Sequence, residues 1–283
     1  MTTYTRPVPG AAEEGRAFHH PALFYTTQED YLREVGGLIR TEAARGRPVL
    51  VAVPGDRLTS LRETLGAEAG DCTWTDMRQA GRNPGRVLSL LHEFADRHAD
   101  RFPVIVGIAV RSPTPSAAAL AHRTHPVITR PGDVRPSPGY TDPHAVCQDC
   151  DAPLPEPADP LVLHFQERDL SAVRDTAGKW AQDAGLSPRR HTDWLLAVNE
   201  ATGNSVRHGG GHGTLRLWRT ADAVVAEIRD RGRLTDPLVG RRRPDPLSPA
   251  GGRGVWMMHQ LCDLVEVRTP SSGLIVRLQV TLA

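Results

Sequence analysis

Lysine is almost absent from this chain, which has 34 basic residues but a single lysine, Lys179. A phosphate-binding P-loop and a Schiff-base enzyme both need a lysine, so both are excluded over most of the chain. Long apolar runs are also missing, and residues 1–15 lack the basic start and apolar core of a signal peptide, which predicts a cytoplasmic protein without a membrane segment. The formal net charge is only +1. We therefore expect no direct binding to nucleic acid and favour regulation through a protein partner.

The four cysteines fall into two groups. Cys147 and Cys150 form a Cys-x-x-Cys pair, and His144 lies three residues upstream, which is a spacing typical of zinc ligands. No fourth ligand is evident in the sequence, so zinc, a redox switch and two simple loop thiols all remain open. Cys72 and Cys262 lie in separate apolar stretches and are expected to be buried as small hydrophobic residues. A cytosolic setting argues against a structural disulfide.

Length and composition predict two domains, because 283 residues with 39% hydrophobic content can fill two modest cores. After a tail of residues 1–15, strand-like and helix-like segments alternate. The expected strands are 22–25, 48–53, 72–75 and 104–110, and the expected helices are 27–45, 57–65 and 84–98. This alternation predicts an α/β domain over residues 16–125, with a parallel sheet flanked by helices.

The pattern changes in the second half of the chain. Residues 126–160 are dense in proline and poor in apolar residues, and we expect a semi-extended, partly disordered linker there. Residues 161–283 then contain a strand, two helices, a hairpin of 214–219 and 223–229, a short helix and two further strands. Helices on one face of a largely antiparallel sheet would make an α+β two-layer sandwich.

One helix of this second domain carries three polar side chains on one face. Glu200, Asn204 and His208 are spaced four residues apart, so they share that face. An amide oxygen is a hard ligand suited to Mg²⁺, which makes Asn204 the candidate metal ligand. Glu200 is the candidate general base that orients or deprotonates an attacking hydroxyl group or water. The face could instead be simply solvated. His208 is the candidate nucleotide contact, and its alternative role is to close the end of the helix.

Two glycine-containing segments complete the pattern. Asp230 ends a strand-like run, where its carboxylate can accept a hydrogen bond from the exocyclic amine of adenine, and Gly232 lets the backbone approach the ring. Gly252 and Gly254 precede a helix-like run whose N-terminal amides can hold phosphate, and Arg253 adds positive charge. We therefore predict a nucleotide site at these residues.

Residues from about 160 to 283 resemble the GHKL (Bergerat-fold) ATPase superfamily and, within it, the anti-sigma factor serine kinases. The resemblance rests on NEATGNSVRHG (199–209), DRG (230–232) and GGRG (251–254), in the order of the family's N, G1 and G2 boxes. Leu234 stands where the G1 box commonly has a second glycine. The resemblance implies bound ATP and Mg²⁺. It also places the arginine run 241–243 in the ATP lid, where such a run is usually solvated, although one arginine could reach a phosphate or an acidic partner.

Residues 16–125 resemble the MEDS sensory domain. The matching pieces are FHHPALFY (18–25), the strand that ends in Val53-Pro54-Gly55, and Asp76-Met77 with GRNP (81–84). The resemblance implies that a small-molecule signal acts on this domain. His19 and His20 could serve a ligand or a pH response, because imidazole titrates near neutral pH, or they could have ordinary polar and packing roles.

Together the resemblances imply an ATP- and Mg²⁺-binding anti-sigma factor under the control of an N-terminal sensory domain. Such a protein would sequester a sigma factor, phosphorylate a serine or threonine of an anti-anti-sigma partner, and form a homodimer. A non-catalytic module in which ATP gates a protein interface is the alternative from a different class. A sensor histidine kinase would need a phosphoacceptor histidine on a helical hairpin where the proline-rich segment lies. A zinc-dependent redox anti-sigma factor would depend on His144, Cys147 and Cys150 alone.

Overall fold

The computed structural model describes residues 19–70, 72–107, 109–111, 115–142, 145–147, 151–236, 238–244 and 252–282. Within these residues the chain forms two compact units. The first contains the described residues up to Gly81 and from Leu90 to Val146, and the second contains residues 82–89 and the described residues from Cys147 onward. None of the helices in the described part of the chain is long and apolar enough to cross a membrane.

The first half of the chain alternates strands and helices, as the sequence predicts. Its strands are β1 (Ala22–Tyr25), β2 (Val49–Val53), β3 (Cys72–Asp76), β4 (Val104–Val106), β5 (Ala109–Arg111), β6 (Val127–Arg130) and β7 (Asp133–Pro136). Its helices are α1 (Gln28–Ala44), α2 (Gly55–Leu65), α3 (Met77–Ala80), α4 (Pro84–Arg97) and α5 (Pro115–Thr124). β2 pairs in parallel with β3 and β4, and β1 pairs in parallel with β5 and β6. The predicted α/β architecture is confirmed.

Two local signals explain these elements. Thr27 and Asp30 form the predicted capping box at the start of α1: Thr27 Oγ1 accepts a hydrogen bond from the Asp30 amide at 3.0 Å, and the Asp30 carboxylate accepts one from the Thr27 amide at 3.2 Å. All five residues of β2 are buried, as expected when an uninterrupted apolar run forms a parallel strand covered on both faces.

The structure corrects the first part of the predicted linker, 126–160. β6 pairs with β1 in the sheet of the first unit, and β7 continues that sheet antiparallel to β6 as an edge strand. The prolines lie where a sheet tolerates them. Pro131 precedes Gly132 in the two-residue turn, where Gly132 has φ +74°, and Pro136 ends the edge strand. Composition alone did not distinguish this hairpin from a connecting segment.

The second unit is a five-stranded antiparallel sheet with helices on one face. Its strands are β8 (Leu161–Gln166), β9 (His212–Arg219), β10 (Ala223–Asp230), β11 (Leu264–Arg268) and β12 (Leu274–Thr281), in the order β11-β12-β10-β9-β8. Its helices include α6 (Leu170–Asp183), α7 (Pro188–His208) and α8 (Arg253–Leu261). Trp194 of α7 is fully buried in one core with Leu215, Ile228 and Leu278, which come from three strands. The predicted α+β two-layer sandwich is confirmed.

A short segment before β8, residues 151–157, lies against this sheet; we call it the strap. Asp151 accepts hydrogen bonds from the amide and the hydroxyl group of Thr269, both at 2.9 Å, and Arg268 Nε donates to the Ala152 carbonyl oxygen at 2.7 Å. Polar contacts therefore hold this second part of the predicted linker on the sheet of the second unit.

Candidate nucleotide site

Helix α7 carries the first group of candidate residues. Trp194 and Val198 are fully buried on one side of the helix, and this fixes its rotation about its own axis. Glu200 and Asn204 are consequently half-buried, and His208, the last residue of the helix, is exposed. The predicted shared face therefore extends from a partly enclosed region to the open end of α7.

Glu200 and Asn204 converge on the first turn of α8. A methyl group built on Gly254 would lie 2.6 Å from Glu200 Oε2 and 3.2 Å from Asn204 Nδ2, so both side chains closely approach this glycine. Arg207 Nη2 donates to Asn204 Oδ1 at 2.9 Å. An amide oxygen has two lone pairs, so this bond leaves Asn204 able to coordinate a cation. The structure thus brings together the predicted metal ligand, the predicted base and the second glycine segment.

The start of α8 has the properties of an anion-binding helix N-terminus. Gly252 is the N-cap residue and has φ +82°, a left-handed conformation that glycine adopts without strain. Gly252 has no side chain that could cap this helix, and the first-turn amides of an α-helix point away from it without an intrahelical acceptor. Such amides, together with the helix dipole, favour a bound phosphate.

Asp230 ends β10 among small residues that leave its carboxylate accessible. Its Oδ2 accepts a hydrogen bond from Ser205 Oγ at 2.5 Å, and its Oδ1 accepts one from the Gly232 amide at 2.7 Å. A methyl group on Gly232 would lie 2.8 Å from Asp230 Oδ1, and one on Gly209 would collide with the same carboxylate. The close approach to the Asp230 carboxylate therefore requires glycine at positions 209 and 232. An ionised carboxylate has about four acceptor positions, so acceptor capacity remains for the amine of a ligand.

The donor set fits ATP and Mg²⁺. Asn204 offers a hard oxygen beside the Glu200 carboxylate, and the first turn of α8 offers amides for phosphate. Asp230 offers an acceptor for an exocyclic amine. Helix α7 joins the two halves of the site, because Asn204 approaches α8 while the next residue, Ser205, bonds to Asp230.

Sequence reasoning missed Ser205 and Gly209 and left two residues less defined. Ser205 is 1% exposed, and a buried hydroxyl group needs a polar partner; its position directly after Asn204 was the available signal. His208 and Arg253 lie at exposed helix ends. Their contacts with a nucleotide stay predictions.

The arginine run 241–243 packs partly against α8. The guanidinium carbon of Arg243 lies 5.8 Å from the centroid of the Trp256 ring, within cation–π distance. Arg241 is half-buried, and burial lowers the pKa of its guanidinium. A methyl group on Gly240 would lie 2.6 Å from Val255 Cγ1, so the backbone before the run also contacts α8. The described part of the expected lid thus packs against α8.

The zinc hypothesis falls largely outside the described residues, where His144 and Cys150 both lie. Cys147 is half-buried. Among the residues that the structure describes, no group of three His, Cys, Asp or Glu side chains could hold a metal ion. Cys262 is fully buried, as predicted, and burial raises the pKa of its thiol to about 12, whereas Cys72 is half-buried.

Three histidines of the first unit, His19, His20 and His125, lie close together, and His125 is buried. His20 Nδ1 lies 2.9 Å from the Ile105 carbonyl oxygen, and its ring centroid is 4.9 Å from that of His125. Burial lowers the pKa of His20, and burial together with the neighbouring His20 lowers the pKa of His19 and of His125 to about 4. All three are neutral at pH 7, which favours the packing interpretation over a response near neutral pH.

Two cavities lie in the first unit. Tyr31 and Thr129 are among the residues that line the cavity beneath α1, and their buried hydroxyl groups have no hydrogen-bond partner among the described residues. This cavity has a volume of about 20 Å³, which is enough for one water molecule. A more open, polar cavity at the ends of β1 and β2 is lined by Tyr25, Gln28, Asp56, Arg57 and Ser60. Ligands of open α/β sheets bind beyond the carboxyl ends of the strands, and this second cavity has that position.

Two family models match the chain. Residues 163–280 match the histidine kinase-like ATPase domain, and residues 19–121 match MEDS, the methanogen/methylotroph, DcmR sensory domain. The first match covers the antiparallel sheet with α6, α7 and α8, and the second covers the parallel strands β1 to β5. The resemblance of the second half of the chain to the GHKL ATPase superfamily and that of the first half to the MEDS domain are confirmed. No curated protein matches the chain.

Proposed function

We propose that this chain, in which a MEDS domain precedes a histidine kinase-like ATPase domain, is an anti-sigma factor that uses ATP and Mg²⁺ to phosphorylate a protein antagonist. The observation that carries the proposal is the convergence of Glu200 and Asn204 on Gly254. The resemblance of the three boxes to anti-sigma factor serine kinases supports a sigma factor and an anti-anti-sigma protein as partners. A cytoplasmic setting and control by the MEDS domain belong to the same proposal.

Each residue of the site has one task in this reaction. Bound Mg²⁺ would supply charge neutralisation at the phosphates, and Asn204 Oδ1 is the oxygen that would hold it. The first-turn amides of α8 bind the phosphates through hydrogen bonds. Asp230 accepts a hydrogen bond from the adenine amine, and Gly232 and Gly209 leave room for that approach.

Glu200 acts on the acceptor hydroxyl group. Its carboxylate lies beside the turn that would hold the phosphates. It would accept the proton that a serine or threonine hydroxyl group releases as its oxygen bonds to the terminal phosphorus of ATP and the bond from that phosphorus to ADP breaks. Phosphoryl transfer asks the protein mainly for positioning and charge stabilisation. A half-buried carboxylate held near Gly254 therefore suits this role better than an exposed one.

The test separates nucleotide binding from transfer. In calorimetry with Mg²⁺ and ATP, Asn204→Ala should lose most of the binding, whereas Asn199→Ala, an exposed position on the same helix, serves as the matched control and should bind like the parent chain. In a transfer assay with radiolabelled ATP and a candidate anti-anti-sigma protein, Glu200→Gln should bind ATP normally and transfer no phosphate. Equal transfer by Glu200→Gln and the parent chain would contradict the role of this carboxylate.

An ATP-gated interaction module is the second candidate. The packing of Arg243 on Trp256 and of Gly240 on Val255 connects the expected lid to the helix that would bind phosphate, so a nucleotide there would act on the lid without chemistry. Tight ATP binding combined with no transfer to any partner would favour this module. A sensor histidine kinase is less well supported, because the described residues between α5 and β8 contain a β-hairpin and the strap but no helical hairpin.

A further inference from the structure

The sheet of the second unit buries a carboxylate on the face opposite its helices. Glu227 alternates along β10 with Ile228, which lies in the hydrophobic core, so its side chain projects from the other face. Glu227 is nevertheless 0% exposed. Three arginines surround it: its carboxylate oxygens lie 2.9 Å from Arg216 Nη1, 2.7 Å from Arg229 Nε and 2.6 Å from Arg277 Nη2. One carboxylate cannot neutralise three guanidinium groups, so this face is basic.

The strap, residues 151–157, covers that basic face. Glu156 accepts hydrogen bonds from Arg216 Nη1 at 2.7 Å and from Arg229 Nη2 at 2.5 Å. The carbonyl oxygen of Pro155 accepts one from Arg277 Nη2 at 2.8 Å. Three of the seven strap residues are prolines, which have no amide hydrogen and favour an extended chain. The strap therefore presents acceptors to a surface that presents donors.

The strap also balances the charge of the face. The four arginines are opposed by two glutamates of the sheet, which leaves a net charge of +2 (4 − 2), and the two strap carboxylates reduce it to zero (2 − 2). The arginines are Arg216, Arg229, Arg268 and Arg277, the sheet glutamates are Glu227 and Glu266, and the strap carboxylates are Asp151 and Glu156. Without the strap, this face would attract an acidic segment.

Solvent weakens the ion pairs that hold the strap, because they are exposed. Hydrogen bonds from Arg229 and Arg216 lower the pKa of the Glu156 carboxyl to about 2, so it is charged at neutral pH. Its side chain is nevertheless 62% exposed, and exposed ion pairs contribute little to stability. The arginines beneath the strap are held more firmly, because each of Arg216, Arg229 and Arg277 pairs with the buried Glu227. A rigid basic surface under a weakly held acidic segment is the arrangement expected of a displaceable intramolecular ligand.

We propose that the face formed by Arg216, Arg229, Arg268 and Arg277 is a docking surface for an acidic, extended, proline-containing segment of a protein partner, and that the strap is its built-in competitor. The partner segment would present carboxylates to Arg216 and Arg229 and backbone carbonyl groups to Arg268 and Arg277, as the strap does. This surface lies on the side of the sheet opposite α7, so the proposal does not depend on the nucleotide site.

Tethering explains how the competition works. A segment joined directly to β8 is present at high effective concentration, so it occupies the face although each contact is weak. A partner segment displaces the strap only when its own concentration and affinity outweigh this effective concentration. Removing the strap charges should therefore expose the face without changing it.

The experiment uses the full chain and a fluorescent peptide that copies residues 151–160, DAPLPEPADP. The double variant Asp151→Asn, Glu156→Gln should bind this peptide about tenfold more tightly than the parent chain, the size expected for the two exposed ion pairs that Glu156 makes with Arg216 and Arg229. Binding should weaken as salt is raised. A control peptide in which the acidic residues are replaced by their amides should not bind. Both strap positions are remote from the core, so the variant should fold.

The backbone mobility of Ala152, Leu154 and Glu156, measured by NMR relaxation in the same samples, makes each outcome decisive. If these residues become mobile in the double variant and the peptide still does not bind, the face is not a docking surface. If they stay rigid without the strap charges, the carboxylates do not hold the strap and the proposal is also overturned. Asn204→Ala should leave peptide binding unchanged, which keeps this test separate from failure of the nucleotide site.

Discussion

Replacing Gly254 by alanine should preserve folding while impairing the nucleotide site. The new methyl group would lie 2.6 Å from Glu200 Oε2, whereas ordinary contact begins at 3.4 Å, so the carboxylate must move by about 0.8 Å (3.4 − 2.6). Asn204 Nδ2, at 3.2 Å, must move by about 0.2 Å (3.4 − 3.2). Both atoms are at the far ends of flexible side chains, so the backbone of α8 need not shift.

This substitution should leave stability unchanged or raise it, while it lowers ATP binding and phosphate transfer. Alanine in a helix is favoured over glycine by about 0.5–1 kcal/mol, which offsets the small cost of moving two side-chain ends, so the free energy of unfolding should be unchanged or slightly higher. A displacement near 1 Å of a catalytic group can lower a rate by about a hundredfold. We therefore expect phosphotransfer to fall by roughly ten- to a hundredfold, with weaker Mg²⁺-dependent ATP binding.

The assays are urea unfolding followed by tryptophan fluorescence, calorimetry with Mg²⁺ and ATP, and transfer of radiolabelled phosphate. Gly37→Ala is the matched control, because its methyl group would meet nothing within 4 Å on α1; it should gain similar stability and keep full activity. Unchanged ATP binding and transfer in Gly254→Ala would refute the convergence of Glu200 and Asn204 on this turn. A loss of several kcal/mol of stability would contradict the argument that only side-chain ends must move.

Three further predictions concern the sheet and the histidines. Asp230→Asn should weaken ATP binding by about ten- to a hundredfold, because an acceptor for the amine is replaced by a donor; titration with a fluorescent nucleotide measures this, and an unchanged affinity would exclude adenine readout by Asp230. Glu227→Ala should cost about 3–5 kcal/mol in urea unfolding, since it leaves the buried Arg277 without its carboxylate partner; a loss below about 1 kcal/mol would contradict its role. The folded-state pKa of His19 and His125 is lowered to about 4, so their contribution to stability is complete above pH 6.5 and is lost as the pH falls to 4, up to about 3 kcal/mol each. Unfolding curves of the first unit that do not change between pH 7 and pH 5 would argue against burial of these rings.

Much of the fold could be predicted because local signals and tertiary packing agree. The apolar run of β2, the capping box at Thr27 and the helical spacing of Trp194 and Val198 each name the element that forms. The hairpin of β6 and β7 was missed because Pro131 and Pro136 suggest a linker, and only the pairing of β6 with β1 shows that they end or turn a strand. Long-range pairing has no signature in composition.

The candidate site could be predicted residue by residue but not as a geometry. The spacing of Glu200 and Asn204 places them on one face of α7, yet it does not say that Gly254 lies against both side chains. Ser205 was missed because its partner, Asp230, is 25 residues away in sequence. The strap was missed for the same reason: its contacts with β9, β10, β11 and β12 are all distant along the chain.

Neighbouring residues of α7 serve opposite ends of the nucleotide site. Asn204 approaches the phosphate-side helix, and Ser205, the next residue, holds the carboxylate on the adenine side. Because a helix is stiff, a rotation of α7 about its axis displaces both side chains in the same step. If the proposed site binds ATP, base recognition and metal coordination would consequently be gained or lost together. A protein that binds the exposed side of α7 and turns it slightly would then release the whole nucleotide without touching it, and the proposed partner could control the affinity for ATP from outside the site.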